Sequence, residues 1–172
     1  MEKGGVMRIL VIFHSQEKGN TRALADLLAE GCRQVKGVSV SLINVNEARV
    51  SIDDAEGADG YAFGSPNYYS YMAGGLKQVF DDLWLASRAK RKVTSKPYVA
   101  FLTYGGGGSV VRAFLTPGAG AKAVRSIERL ARKLELQRVA ESVVCQGQPS
   151  GAATDKAIQL GRSLADHLAT KS

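Results

Sequence analysis

Cysteine is scarce in this chain. Cys32 and Cys145 are its only two, both in apolar patterns and without metal-ligand spacing, so neither a disulfide framework nor a zinc site is expected. Both read as small buried hydrophobes. Histidine is equally rare, with His14 and His167 alone. Long hydrophobic runs are missing as well: none approaches the ~18 to 20 residues that cross a bilayer, and the stretch from Met1 to Met7 has no hydrophobic leader segment or cleavage site. A cytoplasmic protein without a membrane span is the expectation. The chain also lacks a Walker loop and a G-x-G-x-x-G fingerprint, which counts against ATP or NAD as a tightly held primary ligand. No repeat, linker or shift of composition divides the 172 residues. One domain over 1–172 is expected, with residues 1–6 a loosely ordered start.

Charge is present in excess of one sign. Lys and Arg number 23 against 16 Asp and Glu, a net charge of +7, enough to attract nucleic acid, anionic membranes or acidic partners. Its densest stretch, Arg88, Lys90, Arg91, Lys92 and Lys96, carries no interleaved aromatics on which bases could stack. No specific nucleic-acid partner is therefore expected. Cations favour the C-terminal end of a helix and Pro97 follows as a stop, so a solvated helix end is the plainer reading.

The order of elements is read from the hydrophobic period. Met7 to Phe13 is a nearly continuous apolar run, as in a parallel strand buried on both faces. From Thr21 onward, Leu24, Leu27, Leu28, Gly31, Cys32 and Val35 recur at helical spacing. Val38 to Val45 predicts a second strand and Asp59 to Gly64 a short third, with a helical turn between Ser51 and Gly57. Leu76, Val79, Phe80 and Leu83 stripe the next helix, and Tyr98 to Thr103 is a fourth strand. A helix is expected from about Gly120 to Glu135, on Ala123, Val124, Ile127, Leu130, Ala131 and Leu134. Val139 to Cys145 predicts a fifth strand. A last helix carrying Ala157, Ile158, Gly161, Leu164, Ala165 and Leu168 follows the turn-rich Gly147 to Gly151. Strands alternating with helices imply an α/β protein whose parallel sheet is covered on both faces.

In such a sheet ligands bind outside the carboxyl ends of the strands. Three loops stand there. In the first, His14 to Thr21, backbone N–H groups, hydroxyls and the positive end of a helix can receive a phosphate, although capping by Asn20 or Thr21 would explain the same residues. The second, Gly64 to Gly75, crowds Tyr68, Tyr69 and Tyr71 at the mouth of the third strand, where rings can stack on a flat ligand. The third, Thr103 to Ser109, has four consecutive glycines that let backbone approach a planar ring, or that form a bare flexible loop. A phosphorylated, planar, polar heterocycle would touch all three. Together they point to flavin mononucleotide.

Gly19-Asn-Thr21, Gly64-Ser-Pro-Asn-Tyr68, Met72 to Asp81 continuing to Trp84, and Gly105-Gly-Gly-Gly-Ser109 carry a resemblance that spans nearly the whole chain. The sequence resembles the flavodoxin superfamily, and within it the tryptophan-repressor-binding-protein-like NAD(P)H:quinone oxidoreductases and flavodoxin-like FMN reductases. The resemblance implies a doubly wound five-stranded parallel sheet of order 2-1-3-4-5 with helices on both faces. It also implies phosphate contacts from Ser15, Gln16, Lys18, Gly19, Asn20 and Thr21, and isoalloxazine contacts from Pro66, Asn67, Tyr68 and Tyr69. Further ring contacts would come from Thr103, Tyr104, Gly105, Gly106, Gly107 and Gly108. Tyr69 and Trp84 would face the nicotinamide or quinone. The chain departs from the family at Gln16, Glu17 and Lys18, where hydroxyl residues are usual, and in having no histidine after the glycine loop. No catalytic side chain is implied, because the flavin N5 carries the chemistry, and no metal. The expected activity is NAD(P)H-dependent reduction of a quinone or similar small acceptor, by a homodimer or homotetramer. A flavodoxin-type electron carrier serving a redox partner protein is the alternative, and a flavin-free interaction domain on the same fold is a third.

Overall fold

The computed structural model describes residues 5–16, 19–105 and 119–171. Its elements in chain order are β1 Met7–Phe13, α1 Asn20–Arg33, β2 Val38–Asn44, α2 Ile52–Gly57, β3 Gly60–Tyr68, β4 Tyr71–Met72 and α3 Gly74–Arg88, then β5 Pro97–Tyr104, α4 Ala119–Lys133, β6 Gln137–Arg138, β7 Val143–Gln146 and α5 Ala152–Ala169. The sheet order is β2-β1-β3-β5-β6, with β7 also on β5, and all of these pairs are parallel. Counting β6 and β7 as one interrupted edge, this is the expected order 2-1-3-4-5.

Strand alternation distributes the core. Ile9, Val11 and Phe13 face one side of the sheet with Ala62, Val99 and Phe101, and α1 and α5 cover them with Leu24, Leu28, Leu160 and Leu164. Leu10, Ile12, Tyr61, Phe63 and Leu102 face the other side under α2, α3 and α4. The large side chains in both layers are essentially inaccessible, each contributing about 1.5–3 kcal/mol by leaving water. On the first side the two helices touch backbone to backbone. A Cβ on Gly31 would lie 1.9 Å from the Ile158 carbonyl oxygen, and one on Gly161 would lie 1.9 Å from that of Leu28.

Two elements differ from the sequence expectation. The third strand does not stop at Gly64 but runs on to Tyr68 and folds back through Tyr69 and Ser70 into β4. Both turn residues have positive φ, 54° and 64°, the conformation of a two-residue type I′ hairpin. The fifth strand is broken between Arg138 and Val143, where Arg138 and Ser142 both donate to Glu128 of α4. Such a break also blunts the exposed edge of the sheet.

Part of the basic stretch at the end of α3 is spent on the fold. Arg91 pairs with Asp53 and Glu56 of α2, and the Lys96 ammonium donates to the carbonyls of Ala55, Glu56 and Ala58 at the C-terminal end of that helix, where a cation also complements the helix dipole. Arg88 lies over the Trp84 ring. Arg91 and Lys96 thus clasp α2, while Arg88, Lys90 and Lys92 are exposed, as expected of a solvated helix end. No helix among the described residues is long and apolar enough to cross a membrane.

Candidate functional site

Register places three strand ends side by side. Phe13 of β1 pairs with Gly64 of β3, and Pro66 of β3 pairs with Thr103 of β5. The segments that continue from them, His14 to Gln16, Asn67 to Ser70 and Gly105, therefore open on one mouth. A hydroxyl pair crosses it: Thr21 Oγ1 and Thr103 Oγ1 are 2.7 Å apart and buried. This bond ties the start of α1 to the end of β5.

The α1 end of the mouth suits an anion. Its N-cap is Gly19, held at φ 66°, and no side chain caps the helix from that position. The first turn holds no acidic residue. The Arg22 N–H is taken by Ser15 Oγ at 3.2 Å, and the Ala23 N–H by the Gly19 carbonyl at 2.8 Å. Among the described residues nothing accepts from the N–H groups of Asn20 and Thr21. Free donors at a helix N-terminus, with the dipole behind them, are what a phosphate requires. The nearby carboxylate of Glu47 is already engaged. Hydrogen bonds from Arg22 and then Asn44 hold its pKa below the ordinary carboxylate value.

The β3 end suits a ring. Tyr69, at the tip of the hairpin, is fully exposed and keeps a left-handed backbone that costs an L-residue about 1–2 kcal/mol. Strain of this kind gathers where a loop presents a group to a ligand. Behind it Tyr68 packs edge-on against His14, with ring centroids 5.9 Å apart, and burial raises the Tyr68 pKa. His14 is itself buried, which lowers its pKa. Both its ring nitrogens, together with Asn67 Oδ1, are buried without a hydrogen-bond partner among the described residues. Unpaired buried polar atoms cost about 1–3 kcal/mol each. Three of them behind one mouth fit a site whose polar ligand or water completes the bonding.

Ser15, Gln16, Gly19, Asn20, Thr21, Pro66, Asn67, Tyr68, Tyr69, Thr103, Tyr104 and Gly105 lie at or just beyond the carboxyl ends of β1, β3 and β5 or at the start of α1. Lys18, Gly106, Gly107 and Gly108 lie outside the described residues. Trp84 is not brought to the mouth within one copy. It is half-exposed on α3, and the helix rises about 15 Å between Gly74 and Trp84. Sequence reasoning missed Asn44, the last residue of β2, which is buried and bonded to both sides of the Ser15 backbone. A polar residue in the alternation of Val38, Val40 and Leu42 was its one visible signal.

Among known proteins, the family model for NADPH-dependent FMN reductases matches residues 7–124. The flavodoxin of Aquifex aeolicus (strain VF5) is 36% identical over 105 residues, covering 59% of this chain and 52% of its own length. An NAD(P)H dehydrogenase (quinone) of Acidithiobacillus ferrooxidans is 31% identical over 121 residues, covering 58% of this chain and 60% of its own. The chain spans about half the length of the curated relatives it matches. Among solved structures, the WrbA-like flavodoxin of Agrobacterium tumefaciens superposes with a TM-score of 0.76 at 18% identity, over 96% of this chain and 99% of the other. A flavodoxin from the domain Archaea gives 0.75 at 23%, over 95% and 99%. The solved structures speak for the fold, and the family model extends through β1, β3, β5 and the loops that follow them. The chain belongs to the NADPH-dependent FMN reductase family and has a flavodoxin-like fold.

Proposed function

We propose that this protein binds FMN across the mouth of β1, β3 and β5 and uses it to pass electrons from NADH or NADPH to a small acceptor such as a quinone. The observation that carries the reading is the start of α1, where the N–H groups of Asn20 and Thr21 are unpaired among the described residues, on the same carboxyl edge of the sheet as the Tyr69 hairpin. One end of the mouth takes a phosphomonoester and the other a flat ring. Bound FMN would supply a centre that accepts hydride and releases electrons singly or in pairs.

The chain's own residues bind and orient. Ser15, Gln16, Gly19, Asn20 and Thr21, with Lys18 beyond the described residues, would hold the phosphate. Pro66, Asn67, Tyr68 and Tyr69 would line one side of the ring, and Thr103, Tyr104 and Gly105, continuing through Gly106, Gly107 and Gly108, the other. Exposed Tyr69 is the residue offered to an incoming nicotinamide or acceptor. Trp84 would serve that site only from a neighbouring copy of the chain.

A flavodoxin-type electron carrier is the second reading, and the 36% identical flavodoxin favours it. The net charge of +7 would then call for an acidic docking surface on the partner. Steady-state assay of the FMN-loaded protein with NADPH or NADH and a soluble quinone distinguishes the two. Turnover that saturates in both substrates supports the reductase. Flavin that is held tightly without turnover of either nicotinamide supports the carrier.

A further inference from the structure

We infer that Asn44 is the positioning residue of the phosphate site, an inference that rests on FMN being the ligand of this mouth. Its side chain is buried, and every hydrogen-bonding position on it is used. Oδ1 accepts from the Ser15 N–H at 2.8 Å and from the Asn46 N–H at 3.2 Å, while Nδ2 donates to the Ser15 carbonyl at 2.9 Å and to Glu47 Oε1 at 2.9 Å. Backbone N–H groups only donate and carbonyls only accept, so these partners fix which end of the amide is oxygen. The Asx turn to Asn46 holds the side chain in place from its own strand end.

The effect is to extend the β1–β2 ladder. The last backbone bond between the strands runs from the Val45 N–H to the Phe13 carbonyl, and β1 pairs with β2 no further than Phe13 and Asn44. Beyond that point the Asn44 amide takes the place of a strand, clasping Ser15 by both backbone groups. Ser15 in turn presents its hydroxyl to the Arg22 N–H. The start of α1, with the Asn20 and Thr21 donors, therefore hangs on β2 through Asn44 and Ser15. Arg22 closes the loop by pairing with Glu47, the carboxylate that Asn44 also holds.

A loop already held in its binding shape does not lose freedom when the anion arrives, and affinity rises accordingly. No other side chain of this length supplies two donors and two acceptors. Leucine supplies neither, and serine is too short to reach both sides of Ser15. Asn44 makes no bond to the β3 hairpin or to β5. Its influence falls on the phosphate and not on the ring.

FMN and riboflavin differ only in that phosphate, so their relative affinities isolate the effect. Dissociation constants for both are measured by flavin fluorescence quenching on wild type, Asn44→Leu and Asn44→Ser, all uncharged at this position so that the substitution itself adds no charge beside the phosphate. Wild type is expected to prefer FMN, and either variant to lose on the order of tenfold in FMN affinity with riboflavin affinity nearly unchanged. Equal losses for both flavins, no loss for either, or a wild type without preference for FMN would overturn the inference. Amide exchange of Ser15 in the flavin-free wild type tests the clasp without any variant: protection is expected, and exchange at the rate of an open loop overturns it. A wild type that binds neither flavin while Ser15 stays protected would sink the FMN reading and leave the clasp standing.

Discussion

His14 shows how one residue's burial becomes a property of the protein. Its ring lies behind the mouth against Tyr68, and burial holds its pKa below the ordinary 6.5. The unfolded chain therefore takes up this proton first as pH falls, and stability from the neutral ring is complete above about pH 6.5 and lost below it, toward the folded value. Replacing His14 with glutamine, neutral throughout, should flatten the fall of melting temperature between pH 7 and pH 5. Parallel curves for wild type and variant would show that His14 does not titrate in this way. Asn44 was not legible as a site residue, and His14 was read only as the start of the phosphate loop. Their meaning depends on contacts made only after the sheet forms, such as Asn44 to Ser15 across 29 positions of sequence. Gly19, Asn20 and Thr21 were legible because a helix start is a local event, written in consecutive residues.

The same division holds for whole elements. Strands buried on both faces and helices with one apolar stripe declare themselves by period, and β1, α1, β2, α3, β5, α4 and α5 stand close to where the pattern puts them. The β3–β4 hairpin did not declare itself, because its turn is built from Tyr69 and Ser70 rather than the Asn-Gly or Asp-Gly that signals a type I′ turn. The break in the last strand was equally hidden, since it answers to Glu128 on another element. Gly31 and Gly161 read as ordinary members of helical stripes, yet they set how closely α1 and α5 approach. Alanine in a helix interior is favoured over glycine by about 1 kcal/mol. At Gly161 the added methyl would meet the Leu28 carbonyl, which cannot rotate away, and forcing the helices apart typically costs about 1–3 kcal/mol, which outweighs that gain. Gly161→Ala is expected to lower the urea midpoint without changing the slope. A stabilised variant would mean that the helices separate freely.

Across the whole molecule, the sheet order brings three separate segments to one edge, and only that convergence makes a site of them. Taken singly, the α1 start is a helix with two unpaired N–H groups, the hairpin a strained turn, and the Thr103 end a strand terminus. The excess of positive charge, prominent in the sequence, contributes less than it suggested, since Arg91 and Lys96 in its densest stretch are bound to α2. What the assembled mouth should do is take FMN and let a nicotinamide reach it. Anaerobic stopped-flow mixing of the FMN-loaded protein with NADPH, and separately with NADH, tests this most directly. Rapid bleaching of the flavin absorbance by at least one nicotinamide is the predicted result. Flavin that bleaches with dithionite but with neither nicotinamide would contradict the reductase and leave an electron carrier in its place.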